Sequence, residues 1–283
     1  MSLGAPSTQS SLSRHCGRRA NNAMGESVTP QFTVVDGVRL ESRRIAGSRP
    51  GPALVFLHEG LGCVGLWRDF PDKVAAATGL PALLYSRRGY GRSDPRAASY
   101  LPDFMHREAL QVLPALLAQE GIERPLLVGH SDGASIVLIH ASQHPVAGVV
   151  VLAPHVFVEA ISIAAIAKAA DAARDTDLIK RLGRYHDRPE HAFWGWNDIW
   201  LLPAFRDWTI EDVLPSIAAP VLAIQGVDDE YGTLAQIDAI EAGVTSPFER
   251  LDLANCKHSP HRDQEQAVLT AIADFANSVA PGA

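Results

Sequence analysis

The chain has 283 residues, 47% of them hydrophobic and 20% charged, so it can bury a sizeable core and reads as one globular domain with an insertion or as a two-domain enzyme. Its 25 basic and 32 acidic residues give a formal net charge of −7, which excludes a continuous basic surface for nucleic acid or anionic membrane and points to a small-molecule partner. No run reaches the ~20 apolar residues of a bilayer span; the best, "VEAISIAAIAKAA", is interrupted by Glu159 and Lys168.

Residues 1–25 are expected to form a disordered tail. The first 23 are rich in Ser, Arg and Asn, contain no apolar signal-peptide core, and precede the first acidic residue, Glu26. Met24 is a candidate start, and an organelle-targeting peptide is the lesser alternative. The three cysteines, Cys16, Cys63 and Cys256, are odd in number and far apart. That spacing suits reduced thiols and a cytoplasmic location better than a disulfide framework or a zinc site.

From about residue 31 short β-rich runs alternate with helical ones, as in a mainly parallel sheet covered by helices on both faces. "QFTVVDG" and "VRLESRRIA" flank Asp36-Gly37, a two-residue hairpin signal, so the fold is expected to open with an antiparallel pair. "ALVFLH" (53–58), "ALLYS" (82–86), "PLLVGH" (125–130), "GVVVLA" (148–153), "PVLAIQG" (220–226) and "FERLDL" (248–253) are near-continuous apolar runs, the mark of central parallel strands. Helical periodicity fills 66–78, 103–119, 132–144, 233–242 and 261–278. The sum is an eight-stranded, mostly parallel sheet flanked by helices.

The stretch from Ala153 to Pro220 is too long for a single crossover, and helical patterns near 158–173, 176–186 and 189–201 fill it. It reads as a helical cap over residues 155–215, inserted into a core made of 26–154 and 216–283. Four of the five tryptophans, Trp194, Trp196, Trp200 and Trp208, fall there. Trp194, Trp196 and Trp200 are candidates to roof an apolar pocket; the alternative is that they form the cap's own small core.

In "LLVGHSDGAS" (126–135) Ser131 stands between Gly129 and Gly133 where a buried strand runs straight into a helix. A serine there sits on a very sharp turn. Glycines on either side relieve the crowding and let strand and helix approach, leaving the hydroxyl exposed above the sheet. This is the pattern of a nucleophile elbow. Two other constellations carry little. His140 and His144 lie four apart on a helix but lack a third ligand, and Arg87, Arg88, Gly89 and Gly91 lack the Gly-Lys-Ser/Thr ending of a phosphate loop.

From about residue 31 to the C-terminus the chain resembles the α/β-hydrolase family, in its serine-nucleophile, cap-bearing branch of esterases and lactonases. "LHEGLG" is similar to the family's His-Gly oxyanion segment, "YSRRGYGRSD" to its Arg-Gly-x-Gly-x-Ser turn, and "GHSDGA" to its elbow. "IQGVDDEYG" and "CKHSPHRD" follow in the order acid, then histidine. Two positions depart: Glu59 stands where Gly commonly follows the histidine, and Lys257 precedes His258 where Gly is usual.

The resemblance implies a Ser-His-Asp hydrolase in which Ser131 is the nucleophile and His258, just past the last strand, the general base. His261 is a rival base, while His130 is expected to pack or hydrogen-bond locally. The carboxylate that orients the imidazole is Asp229 by the family's Gly-x-x-Asp pattern, with Asp228 as the alternative. The developing oxyanion would meet the backbone N–H of Asp132 and of Gly60, alternatively Leu61. The Asp132 side chain reads only as a favourable acid in the first helical turn. No cofactor or metal is called for.

The implied reaction is hydrolysis of a carboxylic ester, with an apolar or aromatic one suggested by the cap tryptophans. Lactonase, carbon–carbon bond hydrolase, thioesterase, cofactor-free haloperoxidase and acyltransferase chemistry are open to the same residues, as is a non-catalytic ligand-binding role. The serine counts against the dehalogenase and epoxide-hydrolase branches. Nothing in the sequence specifies an oligomeric state.

Overall fold

A computed structural model describes residues 30–280. The tail expected at 1–25, with Met24 and Cys16, lies outside them. Asp36 and Gly37 both take positive φ, 48° and 78°, as a tight two-residue hairpin requires. They join β1 (Gln31–Val35) to β2 (Val38–Ile45) in antiparallel register, with Val35 opposite Val38. Then come β3 (Leu54–Leu57), α1 (Phe70–Thr78), β4 (Ala82–Tyr85), α2 (Phe104–Arg107), α3 (Leu113–Gln119), β5 (Leu126–His130), α4 (Asp132–Ala141) and β6 (Gly148–Leu152). The chain continues through α5 (Ala160–Asp175), α6 (Leu178–Leu182), α7 (Pro189–Leu201), β7 (Val221–Gly226), α8 (Ala235–Gly243), β8 (Phe248–Leu253), α9 (Pro260–Asp263) and α10 (Glu265–Val279).

The eight strands form one sheet in the order β1-β2-β4-β3-β5-β6-β7-β8, antiparallel at β1-β2 and β2-β4 and parallel elsewhere. Every residue of β3, β4, β5, β6 and β7 is buried, which explains their continuous apolar sequences. Their side chains still alternate. Val55, Leu127, Val149, Val151 and Ala223 face α3, α4 and the segment after β6, whereas Phe56, Val128, Val150 and Leu222 pack with Phe70, Val268 and Phe275 of α1 and α10. Because β3 lies between β4 and β5, the chain reverses its direction across the sheet there. The crevice this opens at the strands' C-terminal ends is where α/β sheets hold ligands.

Several helices differ from expectation: α1 begins at Phe70 rather than near 66, and α6 covers only Leu178–Leu182 of the expected 176–186. The helix expected over 103–119 is interrupted by a π turn at Glu108–Val112. Pro114 has no N–H to offer the carbonyl four residues back, and the looser turn frees the Ala109 carbonyl to accept from His140 Nδ1 at 2.8 Å. The final helix is broken at Gln264, whose φ of −137° is not helical. The helix after Ser131 ends at Ala141 rather than at 144.

Between β6 and β7 the chain leaves the sheet. The segment's two ends are zipped at its neck by a bridge between Phe157 and Thr209 and by Ile210 N–H donating to the Val156 carbonyl at 2.8 Å. His186, beyond α6, fastens the segment to the loops after β3 and β4. Its Nδ1 accepts from Gly91 N–H at 2.9 Å and its Nε2 donates to the Leu61 carbonyl at 3.0 Å.

Candidate active site

Ser131 follows β5 directly and caps α4 with φ 53° and ψ −119°, a conformation that a side-chain-bearing residue adopts only under constraint. The constraint is the close crossing of strand and helix. A Cβ at Gly133 would lie 2.1 Å from the Leu57 carbonyl oxygen, and one at Gly129 would lie 2.4 Å from the Gly133 carbonyl oxygen. The turn is held by Ser131 N–H on the Leu152 carbonyl (2.9 Å) and by Ala134 N–H on the Ser131 carbonyl (2.8 Å).

His258 lies in the loop after β8 with Nε2 3.0 Å from Ser131 Oγ, and its Nδ1 is 2.9 Å from both carboxylate oxygens of Asp229. Nδ1–H therefore donates to Asp229, and Nε2 is left to accept the serine proton. Asp229 Oδ1 also accepts from Tyr231 N–H at 2.8 Å. Burial alone would raise the Asp229 carboxyl; the hydrogen bond and charge of His258, with the Tyr231 N–H, more than reverse that and hold it below its ordinary pKa. Asp228 is exposed, and its N–H goes to the Cys256 carbonyl at 3.0 Å. The structure thus brings Asp229, not Asp228, to the imidazole.

The other histidines have different surroundings. His261 is buried against Trp67, Phe70 and His130, away from Ser131. His130 Nε2 donates to the His258 carbonyl at 2.7 Å, and its Nδ1 faces Glu59 Oε2 at 3.5 Å, so it braces the loop that carries His258. His140 and His144 stack with ring centroids 4.5 Å apart.

After β3, His58 Nδ1 donates to the Glu59 carbonyl at 2.7 Å and Nε2 accepts from Arg87 N–H at 3.0 Å. Burial, reinforced by Arg87, lowers its pKa, so the ring stays neutral. The backbone N–H groups of Gly60, Leu61 and Asp132 engage no described residue. A side chain at 60 would collide with the Trp196 ring, since a Cβ there would lie 2.2 Å from it.

A cavity of about 110 Å³ opens over Ser131 and His258. Trp196, Trp200 and Ile166 give it an apolar wall, and Glu59, Gly60 and Leu61 close another side. A larger depression of about 360 Å³, beside Arg49 and Arg124, lies at the far end of the sheet from Ser131. Trp194 does not line the cavity. Its Nε1 donates to Glu190 at 2.8 Å and Arg174 covers its ring, because two residues along a helix from Trp196 points to the opposite side.

The Asp132 side chain also departs from expectation. It does lie in the first turn of α4, but it is fully buried, accepting from Trp200 Nε1 at 3.1 Å with Arg87 Nη2 3.5 Å away. Burial raises its carboxyl, partly offset by Arg87 and Trp200. Sequence reasoning missed Arg87, and also His155 and Tyr231, two cavity residues on loops after β6 and β7. His155 is neutral: burial brings its pKa down to about 3, helped by the neighbouring His258.

The sequence model described as "Alpha/beta hydrolase family" matches residues 54–271, and the chain belongs to that family. Among solved structures it is similar to the enol-lactonase from Burkholderia xenovorans (20% identity, covering 87% of this chain and 99% of that one, TM-score 0.67). It is also similar to a thermophilic esterase from Thermogutta terrifontis (15%, 88% and 99%, 0.68) and to the meta-cleavage product hydrolase from Pseudomonas fluorescens (15%, 88% and 97%, 0.69). At these identities the likeness is one of fold. No helix of the described residues is long and apolar enough to cross a membrane.

Proposed function

We propose that this chain is a serine hydrolase that cleaves carboxylic esters of short, apolar acyl groups through an acyl-enzyme on Ser131. The observation that carries the reading is the unbroken relay Ser131 Oγ, His258, Asp229 at 3.0 and 2.9 Å beneath an apolar cavity. In acylation Oγ attacks the ester carbonyl carbon while its proton passes to Nε2. Asp229 holds the tautomer and stabilises the imidazolium without taking the proton. The carbonyl oxygen becomes an oxyanion facing the N–H groups of Gly60 and Asp132. Collapse breaks the bond to the leaving alkoxide, which takes the proton from Nε2. Water then repeats the sequence on the acyl-enzyme and releases the acid.

In this reading 155–215 is a cap on a core of 26–154 and 216–283, and it shields the acyl-enzyme behind Trp196 and Trp200. The size of the cavity supports this substrate class. Its 110 Å³ is below the ~150 Å³ that admits benzene and the ~300 Å³ of a drug-sized site, which favours a short acyl group over the aromatic one suggested by tryptophan content alone. A small lactone, whose leaving alkoxide stays tethered, is served by the same residues. The buried free thiols of Cys63 and Cys256 are in keeping with a reducing, cytoplasmic setting.

The test is a panel of p-nitrophenyl acetate, butyrate, octanoate and benzoate with a five-membered lactone beside them. Acetate or butyrate should exceed octanoate and benzoate at least tenfold in kcat/KM, with turnover abolished in Ser131→Ala. Fastest turnover of benzoate would overturn the size argument. Turnover surviving in Ser131→Ala would overturn the mechanism.

A further inference from the structure

One guanidinium touches both loops that flank the cavity floor. Arg87, in the loop just after β4, is 1% exposed, and its Nη2 lies 3.0 Å from the Glu59 carbonyl and 3.5 Å from Asp132 Oδ2. The Glu59 carbonyl and the Gly60 N–H are two ends of one peptide group. Asp132 carries the other N–H assigned to the oxyanion.

The Glu59 carbonyl is heavily loaded with donors: Arg87 Nη2 at 3.0 Å, His58 Nδ1 at 2.7 Å and Gly62 N–H at 3.0 Å. Hydrogen bonds to a carbonyl draw density toward its oxygen and leave the N–H at the other end of the peptide more positive, an effect that is larger in a buried, low-dielectric site. A cation adds most to it.

Arg87 is also poorly compensated as a structural residue. Its Nε and Nη1 have no hydrogen-bond partner among the described residues, its carboxylate contact is long, and the Tyr90 ring 5.1 Å away supplies the remaining support. A buried ion pair this loose adds little stability over an apolar replacement of similar volume. Its charge has an evident use beside a site where negative charge develops and fades. Arg88, by contrast, is spent on the turn itself, donating to the Pro95 carbonyl at 2.9 Å.

We propose that Arg87 is a positioning residue for ester cleavage: its Nη2 lies between the Glu59 carbonyl and the Asp132 carboxylate, polarising the peptide that presents the Gly60 N–H to the tetrahedral oxyanion and holding the Asp132 segment beside it. The inference rests on the hydrolase reading above. It gives the "RRGYGRSD" turn a part in the chemistry and makes the 87 side chain act on the transition state more than on substrate binding.

The test compares wild type, Arg87→Met and Arg87→Lys with p-nitrophenyl acetate, counting competent sites by the end-point of fluorophosphonate labelling. Per competent site, Arg87→Met should lose on the order of 10- to 100-fold in kcat/KM, less than the 10²–10³ for deleting an oxyanion donor outright. Arg87→Lys, which keeps the charge on a shorter side chain that reaches the two groups less well, should fall between. Inhibition by a short trifluoromethyl ketone, which forms a tetrahedral adduct on serine, should weaken in parallel, while 4-nitrophenyl ethyl ether, which has no carbonyl to attack, should bind all three equally.

Wild-type kcat/KM in Arg87→Met, or equal weakening of ketone and ether, would overturn the proposal and leave the hydrolase reading standing. Absence of both labelling and turnover in wild type would overturn the two together. If Arg87→Met does not fold, Arg87→Lys decides: reduced kcat/KM with unchanged ether binding supports the role, and wild-type kcat/KM removes it.

Discussion

Lowering the pH from 7.5 to 5.0 should destabilise the fold chiefly through its buried histidines. His140 and His155 are 1% and 3% exposed, and burial brings their pKa values down to about 4 and about 3. An imidazole whose pKa is lowered by folding binds fewer protons folded than unfolded. Its contribution is therefore complete above the unfolded value of ~6.5, is lost as pH falls below that value, and stops changing at the folded pKa.

At pH 5.0 each of the two forfeits about 2 kcal/mol, together roughly 4 kcal/mol. His58, His186 and His261, also lowered chiefly by burial, act in the same direction. Asp132 and Glu108, raised by burial, oppose them in part. For a chain of this size 4 kcal/mol corresponds to a drop of roughly 8–16 °C in Tm. The assay is urea unfolding followed by circular dichroism at the two pH values, for wild type and for His155→Phe. The variant should remove about 2 kcal/mol of the pH dependence. An unchanged midpoint in wild type, or a dependence that His155→Phe leaves intact, would refute the assignment of these rings as neutral and buried.

Asp229→Asn should lower kcat by on the order of 10⁴-fold through loss of the tautomer that His258 needs, whereas Asp228→Asn should leave steady-state rates within about twofold. Gly133→Ala forces a Cβ against the Leu57 carbonyl at 2.1 Å, so either β3 or α4 must shift. It should destabilise the protein by about 1–3 kcal/mol in denaturant titration and slow ester turnover. Trp196→Ala enlarges the cavity, and the kcat/KM ratio of octanoate to acetate should rise at least tenfold; an unchanged ratio would show that Trp196 does not limit acyl length.

Much of this was legible in the chain because burial on both faces turns a central strand into an unbroken apolar run. That is why β3, β5, β6 and β7 fall within a residue of their expected bounds. Asp36-Gly37 and the glycines around Ser131 mark places where backbone geometry restricts residue choice, so they too could be read locally. The π turn before α3 was hidden although its cause, Pro114, is in plain view: periodicity runs through it undisturbed.

The errors at the site have another origin. Trp194 and Trp196 are equally apolar in sequence, and only the helix phase, which pairs Trp196 with Trp200 four residues on, assigns one to the cavity and leaves the other half-buried on the opposite side, against Phe193 and under Arg174. Arg87 lies in a polar run whose composition suggests solvent, and its burial comes from the loop after β3 and the start of α4 closing over it, where it meets the Glu59 carbonyl and Asp132. His155 and Tyr231 reach the cavity by tertiary placement of two loops, which leaves no periodic trace. Asp132 was read as a local helix-start acid, because its partners Arg87 and Trp200 are distant in sequence.

The most direct test of the central claim is intact-mass spectrometry after exposure to a small fluorophosphonate, run on wild type, Ser131→Ala and His258→Ala. An activated serine predicts one adduct on wild type, none on Ser131→Ala, and strongly slowed labelling of His258→Ala. No adduct on folded wild type, or the same adduct on Ser131→Ala, would contradict the assignment of Ser131 as the nucleophile.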